Sequence, residues 1–137
     1  RLNQQGFYLI EMMIVITIMA LMAGFLIKNF TGKVDEAKTT TTKAQIRELA
    51  TTIEDFRRVC SFYPTADQGL DALVKATGGR ECKNYDPQGF IKKVPLDAWD
   101  NPFIYINDGN KYLIKSLGGD GKEGGEGVNK DLDSDNI

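Results

Sequence analysis

From Phe7 to Ile27 the chain runs through 21 residues that carry one charge, Glu11. At about 1.5 Å per residue, a helix of that length spans the roughly 30 Å hydrocarbon core of a bilayer. A carboxylate inside such a span costs roughly 2.5–3.5 kcal/mol on insertion scales, so it calls for a partner and a role. No cation lies within the run itself. The partner must come from elsewhere, and a free amine at the start of the span is the nearest candidate.

The flank of the run identifies that amine. Residues 1–6 are short, polar and end in Gly6. A secretory signal carries its small-residue cleavage site after the apolar region; here the small residue stands before it. This order resembles the class III signal of type IV pilins and pseudopilins. The resemblance implies that a prepilin peptidase cuts between Gly6 and Phe7, that Phe7 is methylated, and that Glu11 is the fifth mature residue. The plain alternative is a signal anchor with a stray Glu. The chain starts with Arg1 rather than Met, so an incomplete leader is expected. Arg1 on one side and Lys28 and Lys33 on the other leave orientation open by charge alone. The resemblance implies a cytoplasmic N-terminus and a periplasmic bulk, anchored in a bacterial inner membrane.

Past Ile27 the pattern becomes amphipathic. Ile46, Leu49, Ile53, Phe56 and Cys60 recur at spacings of three and four, one face of a helix. Lys33 to Lys43 carries a run of four Thr, mediocre helix formers. That stretch is expected to be solvent-exposed in a monomer, with Gly32 a loosening point. Pro64 ends the helix, and Leu70, Leu73 and Val74 read as a short helix. Residues 89–95, 97–99 and 101–105 read as turn-rich strand material, and 112–118 as a strand entering a Gly-rich tail. The expected organisation is a leader (1–6), a membrane and filament-core helix (7–27), an amphipathic helix (28–60) and a globular head (61–137). The fold class is α+β, a long N-terminal helix on a small antiparallel sheet.

Composition removes several functions. There is no His, the commonest general base and metal ligand, and the net charge of −2 gives no pull toward nucleic acid. The Gly-rich stretch lacks the Lys-Ser/Thr ending of a phosphate-binding loop. No catalytic constellation emerges, and an enzyme is not expected.

Tyr63-Pro-Thr65, Gln68-Gly-Leu70, Gly89-Phe-Ile-Lys-Lys-Val-Pro95, Asp97-Ala-Trp99 and Ser116-Leu-Gly-Gly-Asp-Gly121 follow one another in order. They resemble the major pseudopilins of type II secretion systems, the G-type subunits, from Gly6 to about Leu132. The resemblance implies a helical homopolymer built from the membrane. Its expected partners are minor pseudopilins, an inner-membrane assembly platform, prepilin peptidase and, before assembly, lipid. Extension of the filament would drive folded substrates through the outer membrane. A type IV pilus pilin and a monomeric membrane-anchored calcium-binding module are the alternatives. Three features depart from the family: Lys28 where it carries Pro, Ala98 for another Pro, and a cysteine pair it does not usually have. The first departure leaves open the melting of the helix near Lys28 that the resemblance implies.

Cys60 and Cys82 are the only cysteines. In the oxidising compartment that the resemblance implies, they read as a disulfide, with two free thiols the alternative. The tail carries Asp120, Glu123, Glu126, Asp131, Asp133 and Asp135. Asp131, Asp133 and Asp135 mimic the start of an EF-hand loop, but Asn136 stands where that loop needs Gly. Composition alone reads as a solvated acidic tail. The resemblance implies a calcium ion held by Asp120 and Asp131, with backbone oxygens of Leu117 and Lys122. Asp133 and Glu126 are candidate extra ligands.

Overall fold

A computed structural model describes residues 3–137, with side chains described from Tyr8 onward. Arg1 and the side chain of Phe7 therefore lie outside the described residues, and with them the processing site. The chain divides into two compact units, Arg1–Glu36 and Ala37–Ile137.

One helix, α1 (Asn3–Cys60), crosses that division. It runs through Lys28 and Gly32 without a break. Within the first unit every large apolar side chain from Tyr8 to Phe30 is exposed. Thr17 and Thr31 donate their hydroxyls back to the carbonyls of Met13 and Ile27, at 2.7 and 2.6 Å. These bonds let two polar side chains sit in an apolar stretch without an unmet donor. The helix closes with Arg57 and Arg58 in its last turn, where positive charge faces the negative end of the helix dipole. Ser61 then turns left-handed at φ 67°, its N–H still donating to the Arg57 carbonyl. Pro64 follows and prevents continuation.

In the second unit the helix face at Ile46, Leu49, Ile53 and Phe56 is buried. It meets Phe62, Leu70, Leu73, Phe103, Ile114 and Leu132 in one core. The sheet is three-stranded and antiparallel, in the order β1 (Ile104–Asn107), β2 (Tyr112–Ser116), β3 (Leu132–Asp133). Ile114 and Leu132 are the residues β2 and β3 turn into the core. Phe56 anchors an aromatic group, with the rings of Phe62 and Phe90 each 5.5 Å from its own. A 3-10 turn at Gly69–Leu73 stands where a short helix was expected. Cys60, the last residue of α1, is disulfide-bonded to Cys82, which holds the irregular segment after that turn against the helix end.

Two expectations need correction. Residues 89–95 form no strand. The N–H groups of Phe90 and Ile91 both donate to one acceptor, the Leu73 carbonyl, so they are withdrawn from any ladder, and Pro95 has no N–H to offer. Thr42 is not exposed but fully buried, its Oγ1 accepting a hydrogen bond from the Ala98 N–H at 3.2 Å. Gln45, one turn further on, donates to the Leu96 carbonyl at 2.9 Å. The start of the packed half of α1 is thus tied to the segment that precedes β1.

Candidate functional site

Two places carry the residues singled out by the sequence. The first is the exposed half of α1. Glu11 lies on its surface, and among the described residues no ion pair involves it. The helix is long and apolar enough to cross a membrane. Its carboxylate is thus presented on an apolar surface with no internal cation to neutralise it, a costly arrangement unless another charge meets it.

The second is the loop between β2 and β3. It begins at Ser116, which is fully buried. The Ser116 hydroxyl donates to Asp97 Oδ2 at 2.8 Å and accepts from the Gly118 N–H at 3.3 Å. Asp97 is only 3 % exposed, and its Oδ1 accepts from the Trp99 and Asn101 N–H groups at 3.0 and 2.9 Å. This buried carboxylate fixes the point from which the loop departs. Gly118 has φ 71°, and a Cβ there would lie 2.8 Å from the Lys130 carbonyl oxygen. Only glycine fits where the two ends of the loop pass each other.

Leu117 precedes a 3-10 turn, Gly118–Asp120, which Gly121 ends at φ 65°. Asp120 is exposed, and its Oδ1 accepts the Lys122 N–H at 3.0 Å. Glu126 is exposed at the entry to a second turn, Gly127–Asn129, its carbonyl accepting the Asn129 N–H. Asp133 is taken up by its own C-terminal turn: Oδ1 accepts from the Asp135 and Asn136 N–H groups, and Oδ2 accepts the Asn136 side-chain amide. Asp131 is different. Its Oδ2 accepts the Gly124 N–H at 3.1 Å and lies 3.0 Å from Lys115 Nζ. Its Oδ1 is buried and has no hydrogen-bond partner. Burial pushes this carboxyl up, but the Gly124 N–H and the Lys115 ammonium outweigh that and leave its pKa below the ordinary carboxylate value.

A buried carboxylate oxygen without a partner is costly, and a cation at Oδ1 would meet the need. The loop's candidate ligand atoms are oxygens, from carboxylates, the main chain and the Asn129 amide, which suits a hard ion such as calcium. Among the described residues no three His, Cys, Asp or Glu side chains are gathered for a metal. A shell here would therefore draw on backbone oxygens. Sequence reasoning passed over Lys115 and Asp97. The signal for Lys115 was a lone cation in a strand that leads into an acidic loop. Asp97 was legible as part of a motif but not as a buried anchor, because its partner Ser116 is 19 residues away.

A helix that is apolar and exposed at its start, then amphipathic and packed on a small antiparallel sheet, defines a pilin-like filament subunit. The pattern for the type II secretion system (T2SS) protein G family matches residues 29–135, and that for the prokaryotic N-terminal methylation motif matches residues 1–27. Type II secretion system core protein G of Pseudomonas aeruginosa is 38 % identical over 135 residues, covering 96 % of this chain and 95 % of the relative. The Vibrio cholerae core protein G is 38 % identical over 137 residues, covering 98 % of this chain and 94 % of its own. The crystal structure of the major pseudopilin from the type 2 secretion system of enterohaemorrhagic Escherichia coli superposes with a TM-score of 0.66 at 32 % identity, over 77 % of this chain and 93 % of that one. The chain belongs to the type II secretion system protein G family and is a structural subunit of the type II secretion pseudopilus.

Proposed function

We propose that this subunit leaves the bacterial inner membrane to join a helical homopolymer in the periplasm, and that extension of the filament moves folded cargo across the outer membrane. The observation that carries this reading is the exposed apolar stretch of α1 with Glu11 as its only charge from Phe7 to Ile27. The same surface suits lipid before assembly and neighbouring helices after it. In such a helix bundle Glu11 of one subunit neutralises the Phe7 amine of the next. That pairing relieves the cost of both charges and sets the axial register. It requires cleavage after Gly6 by a prepilin peptidase, because only then is Phe7 an amine. The work is assembly rather than catalysis, with minor pseudopilins and an inner-membrane platform as further partners. Mass spectrometry of the mature protein tests the premise: methylated Phe7 is expected at the N-terminus, and a mature N-terminus within or beyond 7–27 overturns it.

We also propose one calcium ion in the loop between β2 and β3, with Asp131 and Asp120 as side-chain ligands and the carbonyls of Leu117 and Lys122 beside them. The buried, unpartnered Asp131 Oδ1 supports this reading. The ion would supply positive charge to a loop with few apolar residues to order it. A ligand that binds only the folded state stabilises it, by about 2.7 kcal/mol at a hundredfold excess over its dissociation constant. Chelation should therefore lower the melting temperature of the wild type and leave Asp131→Ala unmoved. An unchanged wild-type melting curve with no calorimetric calcium binding would refute the site.

A further inference from the structure

In the antiparallel register of β2 with β3, Lys115 lies opposite Asp133. Asp131, two residues before Asp133, is the diagonal neighbour on the same face. Asp133 has given both oxygens to its own turn. Lys115 turns instead to Asp131, placing Nζ 3.0 Å from Oδ2, and the pair is largely shielded, with 23 % and 15 % of the two side chains exposed. The Gly124 N–H bonds the same oxygen. One oxygen of Asp131 is thus saturated by a resident cation and an amide, while Oδ1 is left buried and empty-handed.

From this asymmetry we infer that Lys115 is a built-in counter-cation that competes with calcium for Asp131. The inference rests on the calcium reading above. A divalent ion reaching Oδ1 meets a carboxylate whose charge is already partly neutralised, and it is repelled by an ammonium on the neighbouring oxygen. The loop accordingly has two cationic supports. Lys115 holds Asp131 to β2 when calcium is scarce. Calcium takes Asp131 over, at a weakened affinity, when it is plentiful. Lys115 sets the calcium concentration at which the change happens.

The test uses the full chain in detergent micelles with intact disulfide. Calcium titration calorimetry is combined with hydrogen exchange of residues 117–131 in the calcium-free state. Lys115→Met should bind calcium about tenfold more tightly than wild type, as loss of a charge repulsion of that order implies. Its calcium-free loop should exchange faster. Lys115→Arg, which keeps the cation, should stay near wild type on both readouts. Equal or weaker calcium binding by Lys115→Met overturns the competition while leaving the calcium site standing. No calcium binding by any variant, with a looser calcium-free loop in Lys115→Met, overturns the calcium site itself and leaves Lys115 a plain strut. A second measurement needs no variant. Calcium should free the Lys115 amine and raise its labelling by an amine-acylating reagent, read by mass spectrometry; unchanged or lower labelling overturns the inference even if Lys115→Met fails to fold.

Discussion

The Ser116 hydroxyl donates to Asp97 Oδ2 at 2.8 Å, and both side chains are buried. The neighbouring Ala98 N–H donates to Thr42 on α1. A short polar route therefore runs from the packed half of the helix to the origin of the β2–β3 loop. Asp97→Ala would strand the Trp99 and Asn101 N–H groups and the Ser116 hydroxyl, and is expected to cost about 3 kcal/mol. Asp97→Asn keeps an acceptor for the two amides and should cost clearly less. Urea denaturation of both variants checks this, and equal losses would show that the hydrogen bonds do not set the effect.

Cys60 and Cys82 are 22 residues apart, and their bond closes the segment that contains the 3-10 turn Gly69–Leu73. By chain entropy a closure of this length stabilises by about 3 kcal/mol, although strain and unfolded-state solvation shift the value. The double variant Cys60→Ser, Cys82→Ser should unfold at lower denaturant and show faster amide exchange at 75–90. It should leave exchange at 104–116 nearly unchanged under native conditions. Uniform loss of protection across the sheet would contradict a local role for the bridge.

The β1–β2 turn carries a pH-sensitive element. Asp108 Oδ1 accepts the Lys111 and Asn110 N–H groups at 2.9 and 3.0 Å. Those bonds, the Lys111 one foremost, hold its carboxyl below the ordinary 3.8. The folded state therefore binds its proton less readily than the unfolded chain. The turn's contribution is complete above the ordinary value and is lost as pH falls through the lower folded one. Amide protection at Asn110 and Lys111 should decline only in that acid range, and Asp108→Ala should remove the dependence. An NMR titration placing Asp108 at or above 3.8 would rule this out.

The helix was legible where its chemistry is periodic and local. Ile46, Leu49, Ile53 and Phe56 announce their face through spacing alone, and they are the buried face. The N-terminal methylation motif over residues 1–27 was legible as an order of residue types. What failed was long-range. Residues 89–95 read as turn-rich strand material, but the Leu73 carbonyl captures the Phe90 and Ile91 amides from 17 and 18 residues away. Thr42 looked exposed because nothing local signals the Ala98 amide that reaches it. In the loop, glycines and carboxylates were visible as composition. The selection among the acidic residues was not, because it depends on a strand register that sets Lys115 opposite Asp133 and within reach of Asp131. Only the contact with Lys115 singles out Asp131 among the loop's carboxylates.

In the proposed filament, Glu11 is the charge that meets a neighbour's Phe7 amine. Purified wild-type, Glu11→Gln and Glu11→Ala subunits can be compared for membrane insertion and for filament yield by electron microscopy and sedimentation. All three should insert, since removing a carboxylate from an apolar helix eases insertion. Glu11→Ala should assemble poorly, and Glu11→Gln should fall between it and wild type. A wild-type yield of filaments from Glu11→Ala would contradict the pairing and the assembly mechanism built on it.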